Sequence, residues 1–152
     1  VRYQISVEDN DVSITSPLEM EQTSRVRGRL IFSPGNRFAA TSVKSKQGMA
    51  IVLHVATGRI LSRIGVQEAR VSNDGHQFGA SLAFTSDSSR LVMAEHTGRV
   101  ALWDVESGNL IRELQQFRKS GNHWPPMVRL TSDSRVVVAG GEADPRITIQ
   151  PL

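Results

Sequence analysis

The 152-residue sequence contains no cysteine. That absence excludes a disulfide scaffold, a thiolate metal site and thiol catalysis, and it favours a reducing compartment. Long apolar runs are missing too, so we expect no membrane-spanning helix. The composition that remains, 39% hydrophobic and 22% charged residues, is typical of a globular chain with an ordinary hydrophobic core.

Clustered charge is also lacking. Eighteen basic and fifteen acidic residues leave a net charge of +3, and no block of like charges stands out. Nucleic-acid-binding proteins usually gather Lys and Arg into a stripe or arm. In Ser24–Leu30 the arginines instead alternate with other residues, which favours a strand with solvated arginines on one face.

An internal repeat of roughly 50 residues is the main feature present. Leu30–Ala39, Leu82–Val92 and Val128–Val137 each consist of a short apolar segment, a polar turn and a second apolar segment. Ala50–Leu61 and Val100–Ile111 match one another as the second half of the unit, each around a glycine that suits a hairpin turn. The repeat therefore predicts four short strands per unit, named a to d in chain order.

The predicted strands cover most of the chain. The a strands are Arg29–Phe32, Ser81–Phe84 and Met127–Leu130, and the b strands are Arg2–Ser6, Phe38–Ser42, Leu91–Ala94 and Val136–Ala139. The c strands are Val12–Thr15, Ile51–Val55, Val100–Asp104 and Ile147–Gln150, and the d strands are Leu18–Gln22, Ile60–Ile64 and Leu110–Leu114. The apolar residues from Leu110 to Phe117 would also suit a helix face, but the matching segment Ile60–Ile64 favours a strand.

Four short antiparallel strands at such a period indicate the blades of a β-propeller. The predicted fold class is all-β, a partial β-propeller of about three and a half four-stranded antiparallel blades. Residues 1–22 form strands b, c and d of a first blade, 29–64 the second blade, 81–114 the third, and 127–152 strands a, b and c of a fourth. We expect a segment of a longer propeller protein or, as an alternative, a subunit that closes its ring with a second chain.

One unit resembles a known family. Gly75-His76 and Trp103-Asp104 resemble the Gly-His and Trp-Asp dipeptides of the WD-repeat family, and the match is specific from Gly75 to Leu114 and looser elsewhere. The resemblance implies that Gly75, His76, Trp103 and Asp104 brace the blade, and that the protein is a non-catalytic scaffold for protein–protein interaction. The family's blade network includes an Asp where this unit has Thr97. We therefore expect apolar packing between sheets to dominate stability.

Catalytic groups are not evident. The four histidines lack metal-ligand spacing, and nucleophile elbows, phosphate loops and dinucleotide fingerprints are missing, so we expect no enzyme, metal site or cofactor. His54 is interpreted as a satisfied sheet residue. Asp87 and Asp133 are expected to bond their own turns, and Gly140–Pro145 is interpreted as a b–c turn.

The surface is left as the candidate site. In a propeller the d–a and b–c loops share one rim, and the predicted partner-binding residues of that rim are Lys44, Lys46, His96, Arg99, Arg118, Lys119, His123 and Trp124. Trp and Arg are favoured interface anchors, although Trp124 would also fit beneath its own loop. Other proteins are the expected partners, and a nucleic-acid-associated subunit of a ribonucleoprotein complex is the alternative. We expect an intracellular protein, cytoplasmic or nuclear.

Overall fold

The computed structural model describes residues 4–8, 11–15, 25–27, 30–43, 49–65, 80–95, 97–118, 126–133, 135–140 and 144–152. The regular structure of these residues is β-strand, because short apolar segments alternate with turns rich in Ser, Thr, Asp and Gly. In each of the four sheets, every strand pairs antiparallel with its neighbours in the sequence.

The described part of the chain contains fourteen strands. Sheet 1 consists of β1 (Gln4–Glu8), β2 (Asp11–Thr15) and β3 (Arg25–Arg27), and sheet 2 of β4 (Ile31–Phe32), β5 (Phe38–Val43), β6 (Met49–His54) and β7 (Arg59–Ile64). Sheet 3 consists of β8 (Ser81–Phe84), β9 (Arg90–Ala94), β10 (Arg99–Asp104) and β11 (Leu110–Gln116), and sheet 4 of β12 (Met127–Leu130), β13 (Arg135–Ala139) and β14 (Ile147–Pro151).

The core lies between successive sheets. Sheets 2 and 3 share one cluster of buried apolar residues, which includes Val52, Met93 and Trp103. Sheets 3 and 4 share a second cluster, which includes Val92 and Val138. Because side chains alternate along a strand, Val92 and Met93 of β9 face opposite neighbours, and sheet 3 is buried on both sides.

Hydrogen bonds between sheets supplement this packing. Ser62 donates from Oγ to the carbonyl oxygen of Val105 at 2.6 Å, joining sheet 2 to the turn of sheet 3. The backbone N–H of Val128 donates to Ser81 Oγ at 3.0 Å, joining sheet 4 to sheet 3. Each bond gives a buried or half-buried polar group a partner across an otherwise apolar interface.

The a–b turns repeat one arrangement of hydrogen bonds. Thr85 Oγ1 donates to Asp87 Oδ1 at 2.6 Å, and the backbone N–H of Ser89 donates to the same oxygen at 3.0 Å. In sheet 4, Thr131 donates to Asp133 in the same way. The prediction that Asp87 and Asp133 bond their own turns is confirmed.

The d strand of sheet 3 is confirmed as a strand, β11, and not a helix. It continues to Gln116, past the predicted end at Leu114, with two register irregularities against β10.

The strand beside β2 differs from the prediction. Leu18–Gln22 lies outside the described residues, and β3 (Arg25–Arg27) occupies the place beside β2. The register sets Asp11 opposite Arg27, Val12 opposite Val26 and Ser13 opposite Arg25.

Candidate functional site at the rim of sheets 3 and 4

Three chain segments meet at one rim of sheets 3 and 4. They are the b–c turn of sheet 3 (Glu95 and residues 97–98), the end of its d strand (residues 116–118), and the b–c segment of sheet 4 (Gly140 and residues 144–146). The backbone N–H of Phe117 donates to the carbonyl oxygen of Gly98 at 2.9 Å, and the N–H of Arg118 donates to Asp144 Oδ2 at 3.1 Å. We call these three segments the rim patch.

Phe117 forms the floor of the rim patch. Its ring is buried, and the guanidinium of Arg146 lies 5.5 Å from the ring centroid, within reach of a cation–π interaction. Gly140 packs so closely that an added Cβ would lie 2.8 Å from the Phe117 ring and would overlap the Asp144 carbonyl oxygen. A side chain at position 140 would therefore displace the floor.

Asp144 and Arg146 form a two-pronged ion pair above this floor. Arg146 donates from Nε to Oδ1 at 2.5 Å and from Nη2 to Oδ2 at 2.6 Å. These bonds, together with the backbone N–H of Arg118, lower the pKa of Asp144 to about 2. The buried carboxylate is therefore charged at neutral pH, and Arg146 balances its charge.

A cavity of about 400 Å³ opens beside this ion pair, lined by Arg118, Asp144, Pro145 and Arg146. Both Asp144 oxygens already accept hydrogen bonds within the protein. The guanidinium of Arg118 is exposed, and it makes no hydrogen bond or ion pair with any residue that the structure describes. The available hydrogen-bonding groups of the cavity are thus cationic donors, which suit a carboxylate or another anion.

Glu95 begins the neighbouring b–c turn of sheet 3. Its side chain is buried, and Thr97 Oγ1 donates to Oε2 at 3.3 Å. Burial raises the pKa of Glu95 to about 7, and the charge of Glu113 adds to the rise. The nearest cation, Arg99, places Nη1 3.7 Å from Oε1, too far for a hydrogen bond, so desolvation decides the direction of the shift.

Two predicted rim residues lie in the described part of the chain. Arg118 lies on the cavity. The side chain of Arg99 is only 14% exposed, because its Nε pairs with Glu113 Oε1 at 2.8 Å and its guanidinium lies 5.7 Å from the Trp103 ring centroid. The other six, Lys44, Lys46, His96, Lys119, His123 and Trp124, lie outside the described residues.

The repeat signature is described at two of its four positions. Trp103 is buried between sheets 2 and 3, and its indole N–H finds no acceptor among the described residues. Asp104 accepts hydrogen bonds from the Ser107 N–H at 2.8 Å and from Ser107 Oγ at 2.7 Å, which fixes the c–d turn. Gly75 and His76 lie outside the described residues.

His54 occupies the position in sheet 2 that Asp104 occupies in sheet 3. Its ring lies edge-on to Phe38 with the centroids 5.9 Å apart, and its Nδ1 is 3.3 Å from Thr57 Oγ1. The interpretation of His54 as a satisfied sheet residue therefore agrees with its contacts.

Sequence reasoning missed Glu95, Asp144 and Arg146 as members of the rim. Glu95 directly follows the apolar residues of β9 in the sequence. A carboxylate at the end of such an apolar run is a sequence signal of a buried charged group. Asp144 and Arg146 lie two residues apart in the segment that was interpreted as a simple turn. Their packing against Phe117 depends on a contact between sheets, which no local pattern reveals.

Within the described ranges, no group of three or more His, Asp or Glu side chains is placed to hold a metal ion. Over the same residues, no helix has the length and apolar character needed to cross a bilayer.

The sequence matches no protein-family model and no curated protein. Solved structures do match. The β-propeller domain of Myceliophteria thermophila Cps50 (Swd1) aligns with 99% of this chain at 17% identity and a TM-score of 0.61, and the computationally designed protein Ika4 aligns with 97% at 17% identity and a TM-score of 0.57. KlHsv2 with loop 6CD replaced by a Gly-Ser linker aligns with 89% at 10% identity and a TM-score of 0.53.

These matches establish the fold. The chain is a partial β-propeller, as predicted. It covers 39% of the Cps50 chain, 89% of the Ika4 chain and 48% of the KlHsv2 chain. It therefore spans less than half the length of two of these proteins.

Proposed function

We propose that this chain is a non-catalytic, WD-repeat-like propeller module that binds another protein through the rim patch, as part of a larger propeller protein or assembly. The observation that carries the proposal is the cavity beside Arg118. The ion pair of Asp144 and Arg146 forms part of its wall and packs on Phe117, while Arg118 is exposed and its guanidinium makes no hydrogen bond to a described residue. A pre-organised site of this kind binds with a small entropic penalty.

The WD-repeat assignment has support from two side chains. Trp103 packs between blades, and Asp104 fixes the c–d turn through Ser107. These are bracing roles of the kind that the family resemblance implies. An intracellular location, cytoplasmic or nuclear, belongs to the same proposal, and the sequence, which contains no cysteine, is compatible with it.

The charge of the cavity favours an acidic protein segment over a nucleic acid. Arg118 and Arg146 bring two positive charges, and Asp144 removes one. The neighbouring corner adds Glu113, which is largely exposed. Nucleic-acid sites neutralise several phosphates at once, whereas this cavity matches a single carboxylate such as a Glu or Asp side chain in an extended peptide.

The test compares peptide binding after removal of one charge from the peptide and one charge from the protein. Fluorescein-labelled peptides that carry one Glu in a neutral Gly/Ser context are compared with Gln counterparts, by anisotropy, on the wild type and on Arg118→Gln. We expect the wild type to prefer the Glu peptides by roughly tenfold, the worth of one charge-assisted contact. The preference should vanish in Arg118→Gln.

Arg59→Gln is the matched control, because Arg59 is an exposed arginine at the c–d turn of sheet 2. It should bind like the wild type. Equal binding of Glu and Gln peptides, or an equal loss in Arg59→Gln, would contradict the proposed site. A labelled single-stranded RNA that binds the wild type and weakens steeply with added salt would favour the nucleic-acid alternative.

A further inference from the structure

The cavity of the rim patch is larger than the single group that the proposed function places in it. Its volume is about 400 Å³, whereas a water molecule takes about 30 Å³ of liquid and a carboxylate group has about the size of two waters. A carboxylate bound at Arg118 would leave most of this space to water. A partner that fills the cavity must therefore bring a second, larger side chain.

The other walls of the cavity suit a side chain with few polar atoms. Pro145 is exposed and contributes an apolar ring. Both oxygens of Asp144 already accept hydrogen bonds from Arg118 and Arg146. A hydroxyl or amide of the partner would lose its bonds to water and find few acceptors in exchange, so an apolar side chain is favoured.

Arg146 favours an aromatic side chain over an aliphatic one. Its guanidinium lies over the buried ring of Phe117, 5.5 Å from the centroid, so within the protein it already meets an aromatic face. Two hydrogen bonds to Asp144 hold this guanidinium in place at the cavity wall. A fixed, planar cation can attract a second ring without being ordered first, whereas an aliphatic side chain of the same size gains no such attraction.

We infer that the partner segment carries an aromatic residue two positions from its acidic residue, and that both side chains enter the cavity together. The inference rests on the proposed function and adds a second recognition element to it. The carboxylate pairs with Arg118, and the aromatic ring packs against Pro145 and the guanidinium of Arg146. The spacing follows from an extended peptide, in which residues i and i+2 point to the same side about 7 Å apart and adjacent residues point to opposite sides.

The test measures the anisotropy of fluorescein-labelled peptides that carry Glu-Gly-Phe in a Gly/Ser context. In the comparison peptides the Phe is replaced by Gly, by Leu or by pentafluorophenylalanine. Pentafluorophenylalanine keeps nearly the size and the apolar character of Phe, but the face of its ring is no longer negative, so the cation–π attraction is lost.

We expect the wild type to bind the Phe peptide roughly tenfold more tightly than the Gly peptide, because the ring loses its contact with water. It should bind the Phe peptide about two- to fivefold more tightly than the Leu and pentafluorophenylalanine peptides, which is the contribution of an exposed cation–π contact. A peptide with adjacent Glu and Phe should lose most of the gain over the Gly peptide.

Two protein variants separate the two recognition elements. Pro145→Ala removes the apolar wall and should reduce the preference for Phe over Gly, while the preference for Glu over Gln remains. Arg118→Gln should do the reverse. Pro151→Ala is the matched control, because Pro151 is an exposed proline at the far end of β14 from the rim patch, and it should bind every peptide like the wild type.

Equal binding of the Phe, Leu and pentafluorophenylalanine peptides by a wild type that still prefers Glu over Gln would overturn this inference and leave the proposed function standing. The same conclusion would follow if Pro145→Ala kept the full preference for Phe, or if Pro151→Ala lost it to the same extent. A wild type that binds Glu-Gly-Phe and Gln-Gly-Phe equally would overturn the proposed function and this inference with it.

Discussion

Sheets 3 and 4 are built from the same repeat unit, yet one is enclosed and the other is half open. The apolar face formed by Val100 and Leu102 in sheet 3 is covered, while the matching face of Ile147 and Ile149 in sheet 4 meets solvent. Identical strand patterns can thus give opposite burial, because burial depends on whether a neighbouring sheet is present. The pattern of a strand determines which face is apolar, and the position in the series determines whether that face contributes to stability.

The b–c corners of the same two sheets also differ. Each holds a buried carboxyl group, Glu95 in sheet 3 and Asp144 in sheet 4. Arg146 and a backbone N–H donate to Asp144 and lower its pKa, whereas burial raises the pKa of Glu95, to which Thr97 donates at 3.3 Å. Burial alone therefore does not fix the charge state; the donors that reach the carboxylate do.

Truncation of matched residues on the two faces should give the largest difference. Leu102→Ala leaves a cavity between sheets 3 and 4 and should lower the free energy of unfolding by about 3 kcal/mol. Ile149→Ala removes a side chain that water already reaches, so it should change stability by less than about 0.5 kcal/mol. Urea unfolding followed by circular dichroism, at protein concentrations below any self-association, measures both.

The comparison of faces would fail if the two truncations had similar effects. A large loss at Ile149 in dilute protein would mean that its side chain is covered within a single chain. Phe32→Ala adds a second exposed control in sheet 2 and should also be nearly neutral.

Glycine substitutions at the two b–c corners should give the next largest effects. Gly98 has a φ of +86° and its added Cβ would overlap the Phe117 carbonyl oxygen, so Gly98→Ala combines backbone strain with a clash. We expect it to cost about 3 kcal/mol. Gly140→Ala brings only the clash with Asp144 and Phe117, and should cost about 2 kcal/mol. Thermal unfolding of both variants provides the measurement.

Gly35→Ala isolates the strain from the clash. Gly35 has a φ of +82°, but nothing lies within 4 Å of an added Cβ. Its substitution should cost about 1 kcal/mol. If Gly98→Ala and Gly35→Ala proved equally mild, the corner would not be tightly packed on Phe117.

The sequence was sufficient for most of the fold. The bounds of β8 and β12 are those predicted, since the apolar runs Ser81–Phe84 and Met127–Leu130 are short and each is followed closely by a polar turn. The first sheet was harder, because Arg-Val-Arg in β3 is a weak strand signal that its pairing with β2 supports. The local sequence pattern identifies a strand well where a polar turn follows it. It identifies a strand poorly where pairing with a neighbouring strand is the main evidence for it.

The candidate site was less predictable. Arg118 was found as an exposed cation, but Asp144 and Arg146 gain their roles only when Phe117 of sheet 3 packs under sheet 4. Arg99 looked equally available in the sequence, and contacts with Glu113 and Trp103 engage it. Composition shows which residues can bind a partner, while tertiary contacts decide which of them are already occupied.

A pH dependence of stability should also separate the two corners. The pKa of Glu95 is about 7 in the folded protein against 4.5 for an ordinary Glu, so the folded state holds this proton more tightly. The protonated Glu95 therefore stabilises the folded state fully below pH 4.5, and this contribution is lost as the pH rises through 7. The free energy of unfolding should fall by roughly 2 kcal/mol over this range, after allowance for residual solvent contact. Asp144 has a lowered pKa and is charged in both the folded and the unfolded state above pH 5. It therefore adds no pH dependence to the free energy of unfolding in that range.

Urea unfolding of the wild type and of Glu95→Gln between pH 5 and 8 tests this assignment. The wild type should become less stable relative to Glu95→Gln as the pH rises, because only the wild type must bury a carboxylate at high pH. Glu106→Gln changes an exposed Glu and should run parallel to the wild type. Parallel curves for the wild type and Glu95→Gln would show that Arg99 neutralises Glu95 after all, and the two corners would then hold their carboxylates in the same way.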